Sequence, residues 1–239
     1  VCLERASPPS GKGLFVTKGT CLHDTPRIGN NTSTLMNTYS YIAEKCLHDE
    51  VQAILDVVQS LDDNFIRAVD MILSCKGKVI VTGVGNSGHI GAKIASTMSS
   101  SGTPALFMNA VDAYHGNLGA VTEGDVLLVV SKSGETSEIL RLLPYIQECN
   151  VPVISITSAP ESTLGVASEC ILDIRTKTEA CPINLVPTSS TIVSMALGDA
   201  LACALIEARK VKPADVARVT GQHLWQTLPL TPTGFGDSP

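Results

Sequence analysis

Aromatic side chains are scarce: four Phe, four Tyr and one Trp in 239 residues. So few rings leave little material for stacking on bases, and a formal charge of -6 offers no basic stripe to a phosphate backbone, so nucleic acid is not expected as a partner. Long apolar runs are missing as well. None reaches the roughly 18 to 20 residues of a membrane span, and a candidate such as Val126–Val130 is the size of a strand, so no membrane partner is expected. The eight cysteines form no C-x-x-C pair and have no His at ligand spacing, which argues against a bound metal and for free thiols in a reducing cytoplasm. A glycosylation sequon, Asn30-Asn31-Thr32, has no charged and apolar signal segment ahead of it and reads as chance.

What is present is ordinary globular composition, 44% hydrophobic and 17% charged. Residues 1–35 mix Pro, Gly, Lys and Thr without periodicity and read as a leader, with Met36 as a natural start. From there Tyr41, Ile42, Cys46, Val51, Ile54, Leu55, Val58 and Leu61 recur at helical spacing, and Phe65, Ile66, Val69, Ile72 and Leu73 repeat the pattern. Two helices are therefore expected before the first strand. "KVIVTG", "PALFM", "DVLLVVS", "VPVISIT" and "CILDI" then read as strands, separated by helices near 87–101, 136–148 and 161–168 and followed by helices at 189–208 and 213–219. Short apolar strands alternating with helices predict an α/β fold, a doubly wound, mostly parallel five-stranded sheet flanked by helices in three layers. The expected division is a leader over 1–35, one domain over 36–220 and a C-terminal tail over 221–239.

The first strand runs into Gly83-Val84-Gly85-Asn86-Ser87-Gly88, a G-x-G-x-x-G turn able to seat an anion on a helix N-terminus. A dinucleotide site would need an acidic residue at the end of the second strand, which instead ends Met108-Asn109, with Asp112 further on. The third strand ends in Ser131-Lys132-Ser133-Gly134-Glu135-Thr136-Ser137-Glu138, where hydroxyls crowd the mouth of a helix. An N-cap needs one hydroxyl; this number points to a phosphate monoester. On residue type alone Glu138 is also a favourable charge at a helix start, Glu179 a solvated loop carboxylate, and His115 a hydrogen bonder in a Gly-rich turn.

"GVGNSGHIG", "YHGNLG", "SKSGETSEI" and "EACPINLVPTSST" followed by "GDALACAL", in this order, resemble the sugar isomerase (SIS) domain family, and within it the arabinose 5-phosphate isomerases. The resemblance runs from about residue 40 to about residue 220. It implies interconversion of ribulose 5-phosphate and arabinose 5-phosphate through an enediol, for 3-deoxy-manno-octulosonate or capsule synthesis, by a cytoplasmic homo-oligomer, dimer or tetramer, with no metal or organic cofactor. It implies a phosphate clamp of Ser87, Ser131, Ser133 and Thr136, catalytic roles for Glu138 and Glu179, and a motif histidine at His115. The chain departs from the pattern at Asn86, where the family has Lys, and at Thr220, where an ungapped match expects the His of a His-Pro-Gly-Gly stretch; His223 stands three residues on. Lys132, where relatives often carry Asn, is a candidate to replace the missing cation, and Lys93 is a second. Many relatives continue into a pair of CBS domains, for which the chain ends too soon. His89 reads as structural, and His23 and His48 fall in no motif. The alternative is a SIS module that binds a sugar phosphate for sensing, without turning it over.

Overall fold

The computed structural model describes residues 32–221, with the side chains described from Met36 on. His23, His223, the Asn30 sequon, Cys2, Cys21 and nearly all of the expected leader and tail lie outside the described residues. The chain divides into two units, Val1–Tyr39 and Ser40–Pro239. Of the first, Thr32–Tyr39 are described, as the opening turns of helix α1 (Thr32–Val58), which takes in the last four residues of the expected leader.

After α1 come α2 (Asp63–Ser74), β1 (Val79–Gly83), α3 (Asn86–Ser100), β2 (Ala105–Asn109), a short α4 (Ala110–Ala113) and a 3-10 turn (Asn117–Ala120). Then follow β3 (Val126–Val130), α5 (Ser137–Leu140), α6 (Leu143–Glu148), β4 (Val153–Thr157), α7 (Thr163–Val166), β5 (Cys170–Asp173), α8 (Ser189–Arg209) and α9 (Pro213–Val219). All five expected strands form. The expected helix over 136–148 is two helices, α5 and α6. Pro144 stands in the first turn of α6, where its missing N–H and fixed φ suit a helix start rather than a helix interior.

The strands pair in the order β2-β1-β3-β4-β5, every pair parallel. β1, β3 and β4 are buried along their whole length, as crossover helices on both faces require. Alternate residues supply two cores. Val79, Val81, Leu128 and Ile154 face Ile72, Ile94, Met98, Leu197 and Leu201, from α2, α3 and α8. Ile80, Leu127, Val129 and Val153 share the other face with Ile139, Leu142, Ile146 and Leu164.

The α1 stripe forms a helix as its spacing predicts, with Val57 buried and Ala53 and Ile54 packed on the core. Tyr41, Leu47, Val51, Leu55 and Val58 nevertheless stay exposed. And α8, among the described residues, is long and apolar enough to cross a membrane by length and composition, although its longest uninterrupted apolar run, Ala200–Ile206, is only seven residues. Its high hydropathy comes mainly from Ile192, Val193, Leu197, Leu201, Leu205 and Ile206, and Gly198 lets it lie close to Ile94 of α3. Val193, Leu197, Leu201 and Leu205 are buried in the sheet-facing core, so it is a core helix.

At the amino ends of the strands the Asp125 carboxylate, wholly buried, accepts from Lys78 N (2.9 Å), Lys78 Nζ (2.8 Å), Thr122 N (2.8 Å) and Thr122 Oγ1 (3.1 Å). Burial alone would raise its pKa; Lys78 and Thr122 hold it below the ordinary carboxylate value. This one side chain ties the start of β1 to the start of β3. Replacing Asp125 by Ala should therefore lower unfolding stability by about 3 kcal/mol, since it strands several donors and an ammonium at once. Urea denaturation measures this, and a loss under about 1 kcal/mol would contradict the assignment.

Candidate active site

β1 is the strand at which the order of the sheet turns, with β2 on one side and β3 on the other, and its Thr82 is in register with Val129. The segments after Gly83 and after Val130 therefore leave the same edge of the sheet side by side, the place where open α/β sheets bind ligands. In the first segment Gly85 takes φ 59 and ψ -130 as the N-cap residue of α3. The left-handed φ suits a residue without Cβ. No side chain caps α3. Asn86 is exposed and Ser87 half-buried at its start. The expected lack of a carboxylate ending β2 is seen directly: Asn109 is the last residue, and its side chain accepts from Val111 N, capping α4.

The second segment is wound on its own hydroxyls. Ser131, buried, accepts from Gly134 N (3.2 Å) and lies 3.1 Å from Thr136 Oγ1, while Ser133 Oγ accepts from Glu135 N (3.2 Å). Gly134 has φ +64, and a Cβ there would fall 1.8 Å from Ser162 Oγ, so only glycine lets the loop approach α7 this closely. Glu135 fastens the same contact by accepting from Thr163 N at 2.7 Å. The Lys132 carbonyl accepts from Ser158 N (3.0 Å) and Thr157 Oγ1 (3.1 Å) at the end of β4. Thr136 is the N-cap residue of α5 without using its side chain as a cap. Ser137 Oγ donates to Glu138 Oε2 at 2.8 Å; Glu138's own N–H and this bond hold its carboxyl below the usual pKa.

The hub of the region is Glu179, whose side chain is only 3% exposed. Its Oε1 accepts from Lys132 Nζ (2.5 Å) and Ser190 Oγ (2.5 Å). Its Oε2 accepts from Thr188 N (2.8 Å), Ser190 N (3.1 Å) and Thr188 Oγ1 (3.3 Å). Thr188, the N-cap residue of α8, makes no side-chain cap of its own. The Glu179 carboxylate caps the helix from outside instead, a negative charge on the positive end of a 21-residue helix. Burial would push its pKa up, but the Lys132 ammonium and the hydrogen bonds from Ser190 and Thr188 bring it down to about 2. The loop is held in place by Asn184 Oδ1, which accepts from Glu179 N at 2.6 Å, and by Cys181 Sγ, which accepts from Leu185 N and Val186 N at 3.1 Å.

Lys132 and Glu179 are thus in direct contact, and Ser87 and Lys132 line one small cavity of about 50 Å³ with Ser190 and Thr191. Asn86, Ser131, Ser133, Thr136 and Glu138 all lie on the two segments at this edge. His115, in the turn after α4, is exposed, and its ring makes no hydrogen bond among the described residues. His89 is exposed on α3, and His48 lies 3.9 Å from Glu44 on α1. Lys93 is not a spare cation: it is paired with Asp199, joining α3 to α8. Thr220 turns its hydroxyl onto the Val216 carbonyl at 2.9 Å, at the end of α9. Sequence reasoning missed Thr188, Ser190, Asn184 and Glu135 as supports. The hydroxyl run "PTSST" at a helix start was the visible signal for the first two.

A family model described as "SIS domain" matches residues 72–204. The chain is similar to arabinose 5-phosphate isomerase KdsD of Pseudomonas aeruginosa, 45% identical over 179 residues, which cover 75% of this chain and 55% of that protein. It is similar to arabinose 5-phosphate isomerase GutQ of Shigella flexneri, 42% identical over 187 residues, covering 78% of this chain and 57% of that one. The chain spans about half the length of the curated relatives it matches. Among solved structures it resembles the E. coli CFT073 protein c3406 in complex with arabinose 5-phosphate, with a TM-score of 0.74 and 36% identity, over 80% of this chain and 99% of that one.

Because the Glu179 pKa is lowered on folding, from 4.5 to about 2, its ionised form stabilises the fold above pH 4.5, and that share is lost as the pH falls toward 2. The share is at most about 3 kcal/mol. Glu179→Gln should flatten the stability profile between these pH values and leave the Asp125 contribution in place. Equal acid slopes for wild type and variant, in urea titrations at stepped pH, would show that the network does not hold Glu179 ionised.

Proposed function

Because the chain belongs to the SIS domain family, with the family model covering 72–204, we propose that it is a sugar-phosphate isomerase interconverting ribulose 5-phosphate and arabinose 5-phosphate. The observation that carries this reading is the meeting of two Ser-bearing turns at the ends of β1 and β3, with Glu138 in the first helical turn beyond one of them. The similarity to two arabinose 5-phosphate isomerases and to a structure in complex with arabinose 5-phosphate supports the choice of pentose phosphate.

In this reading the phosphate is gripped by Ser87, Ser131, Ser133 and Thr136, with Asn86 as a neutral donor beside it. Hydroxyls and N–H groups suit a phosphate because they need no charge of their own to donate. A carboxylate then takes the C1 proton of ribulose 5-phosphate, giving the enediol, exchanges it with solvent, and delivers a proton to C2, giving the aldose. Glu138 fits this role better than Glu179, since it is half-exposed while every Glu179 oxygen is engaged. His115 shuttles the hydroxyl proton between O1 and O2. The product would serve 3-deoxy-manno-octulosonate, lipopolysaccharide or capsule synthesis in the cytoplasm, where the six described cysteines stay free thiols. The exposed Tyr41, Leu47, Val51, Leu55 and Val58 on α1 support a homo-oligomer, dimer or tetramer, in which another copy covers them.

Incubation of ribulose 5-phosphate with the protein in deuterated water tests the reaction. Arabinose 5-phosphate should appear carrying deuterium at C2, and Glu138→Gln should lower kcat by about a hundredfold or more, the scale of acid-base assistance. Binding of arabinose 5-phosphate without exchange or turnover would replace the isomerase by a sugar-phosphate sensor.

A further inference from the structure

The crevice holds a fixed ion pair whose two members are placed for different tasks. A carboxylate offers about four lone-pair sites, and those of Glu179 are met by donors from Lys132, Ser190 and Thr188. It has no site left for a substrate proton. The Lys132 ammonium is the opposite case: three donors, one of them on Glu179, on a side chain 39% exposed that also lines the small cavity with Ser87, Ser190 and Thr191. The rival cation, Lys93, is held by Asp199 on the helix surface, and Asn86 carries no charge.

We propose that Glu179 is a positioning residue that acts through Lys132: anchored on the start of α8, it fixes the Lys132 ammonium between the two turns as the cation that meets an anionic sugar phosphate. This rests on the sugar-phosphate reading of the site and assigns Glu179 a role other than proton transfer. The main chain of Lys132 is fixed independently, by Ser158 N and Thr157 Oγ1 on its carbonyl, so only the direction of its side chain depends on Glu179. Replacing Glu179 by Gln would remove the negative charge and set an NH2 end against N–H donors, at the ammonium or at the start of α8, so that Lys132 is no longer held.

Calorimetric titration of wild type, Lys132→Met, Glu179→Gln and the double variant with arabinose 5-phosphate tests this, each variant first checked for its melting temperature. Lys132→Met should weaken binding by roughly ten- to a hundredfold, the loss of one charge-assisted contact. Glu179→Gln should cost nearly as much, yet the double variant should bind no worse than Lys132→Met within about twofold, since partners that act as one do not add. Lys132→Arg should recover most of the affinity, and raised salt should weaken wild type more than Lys132→Met. If Glu179→Gln fails to fold, Glu179→Asp, which keeps the anion but draws it back from Lys132, takes its place in the same cycle. A Glu179 substitution that costs as much in the Lys132→Met background as in wild type, or a silent Lys132→Met, would overturn the proposal. Turnover of ribulose 5-phosphate is followed in parallel: wild type that binds without turnover removes the isomerase reading and leaves the cycle to judge the pair, whereas wild type that does not bind arabinose 5-phosphate removes both.

Discussion

Parallel pairing of β1 with β2 on one side and β3 on the other is the constraint from which the site follows. A parallel sheet sends every strand's carboxyl end to the same edge, and a reversal of strand order there separates the outgoing chains so that a crevice opens between them. The residues that specify this are bland. Unbroken runs such as Val126–Val130 are buried on both faces, and the amino ends are locked by Asp125, which leaves the opposite edge free for chemistry.

On that edge the polar groups are organised around one buried charge. The Glu179 carboxylate caps α8, receives two hydroxyls and holds Lys132, so a long core helix, the loop before it and the turn after β3 share one point. A buried carboxylate is tolerable only when its lone pairs are met and an opposite charge is near, and both conditions hold. The same saturation that makes Glu179 stable makes it a poor proton carrier. Glu138 differs in both respects: it stands at the start of a short helix, half-exposed, with Ser137 as its side-chain partner.

The sheet was legible because strands buried on both faces write themselves as continuous apolar runs, and all five appear where those runs are. Helices were less so. Periodicity passed over the break that Pro144 imposes, and it registered the α1 stripe without saying whether the core or something else would cover it. Ser194, Gly198 and Asp199 interrupt α8, so no membrane-length apolar run showed how apolar it is. At the site, the hydroxyl-rich turn after β3 was visible as composition, and the motifs that resemble the SIS family named Glu138, Glu179 and His115. What no local pattern could show is the contact between Lys132 and Glu179, 47 residues apart in the chain. Nor could it show that Ser131 and Ser133 are already engaged with the backbone of their own turn, or that Lys93 is committed to Asp199.

A crystal of the protein soaked with arabinose 5-phosphate would show whether an anionic sugar phosphate occupies the crevice between the turns after β1 and β3, with its charge met from Lys132. The phosphate should lie among Ser87, Ser131, Ser133 and Thr136, with the Lys132 ammonium within hydrogen-bond distance of both the ligand and Glu179, and the Glu179 carboxylate still bonded to Thr188 and Ser190. A ligand seated elsewhere, or one bound directly by a Glu179 that has let go of Lys132, would contradict this arrangement.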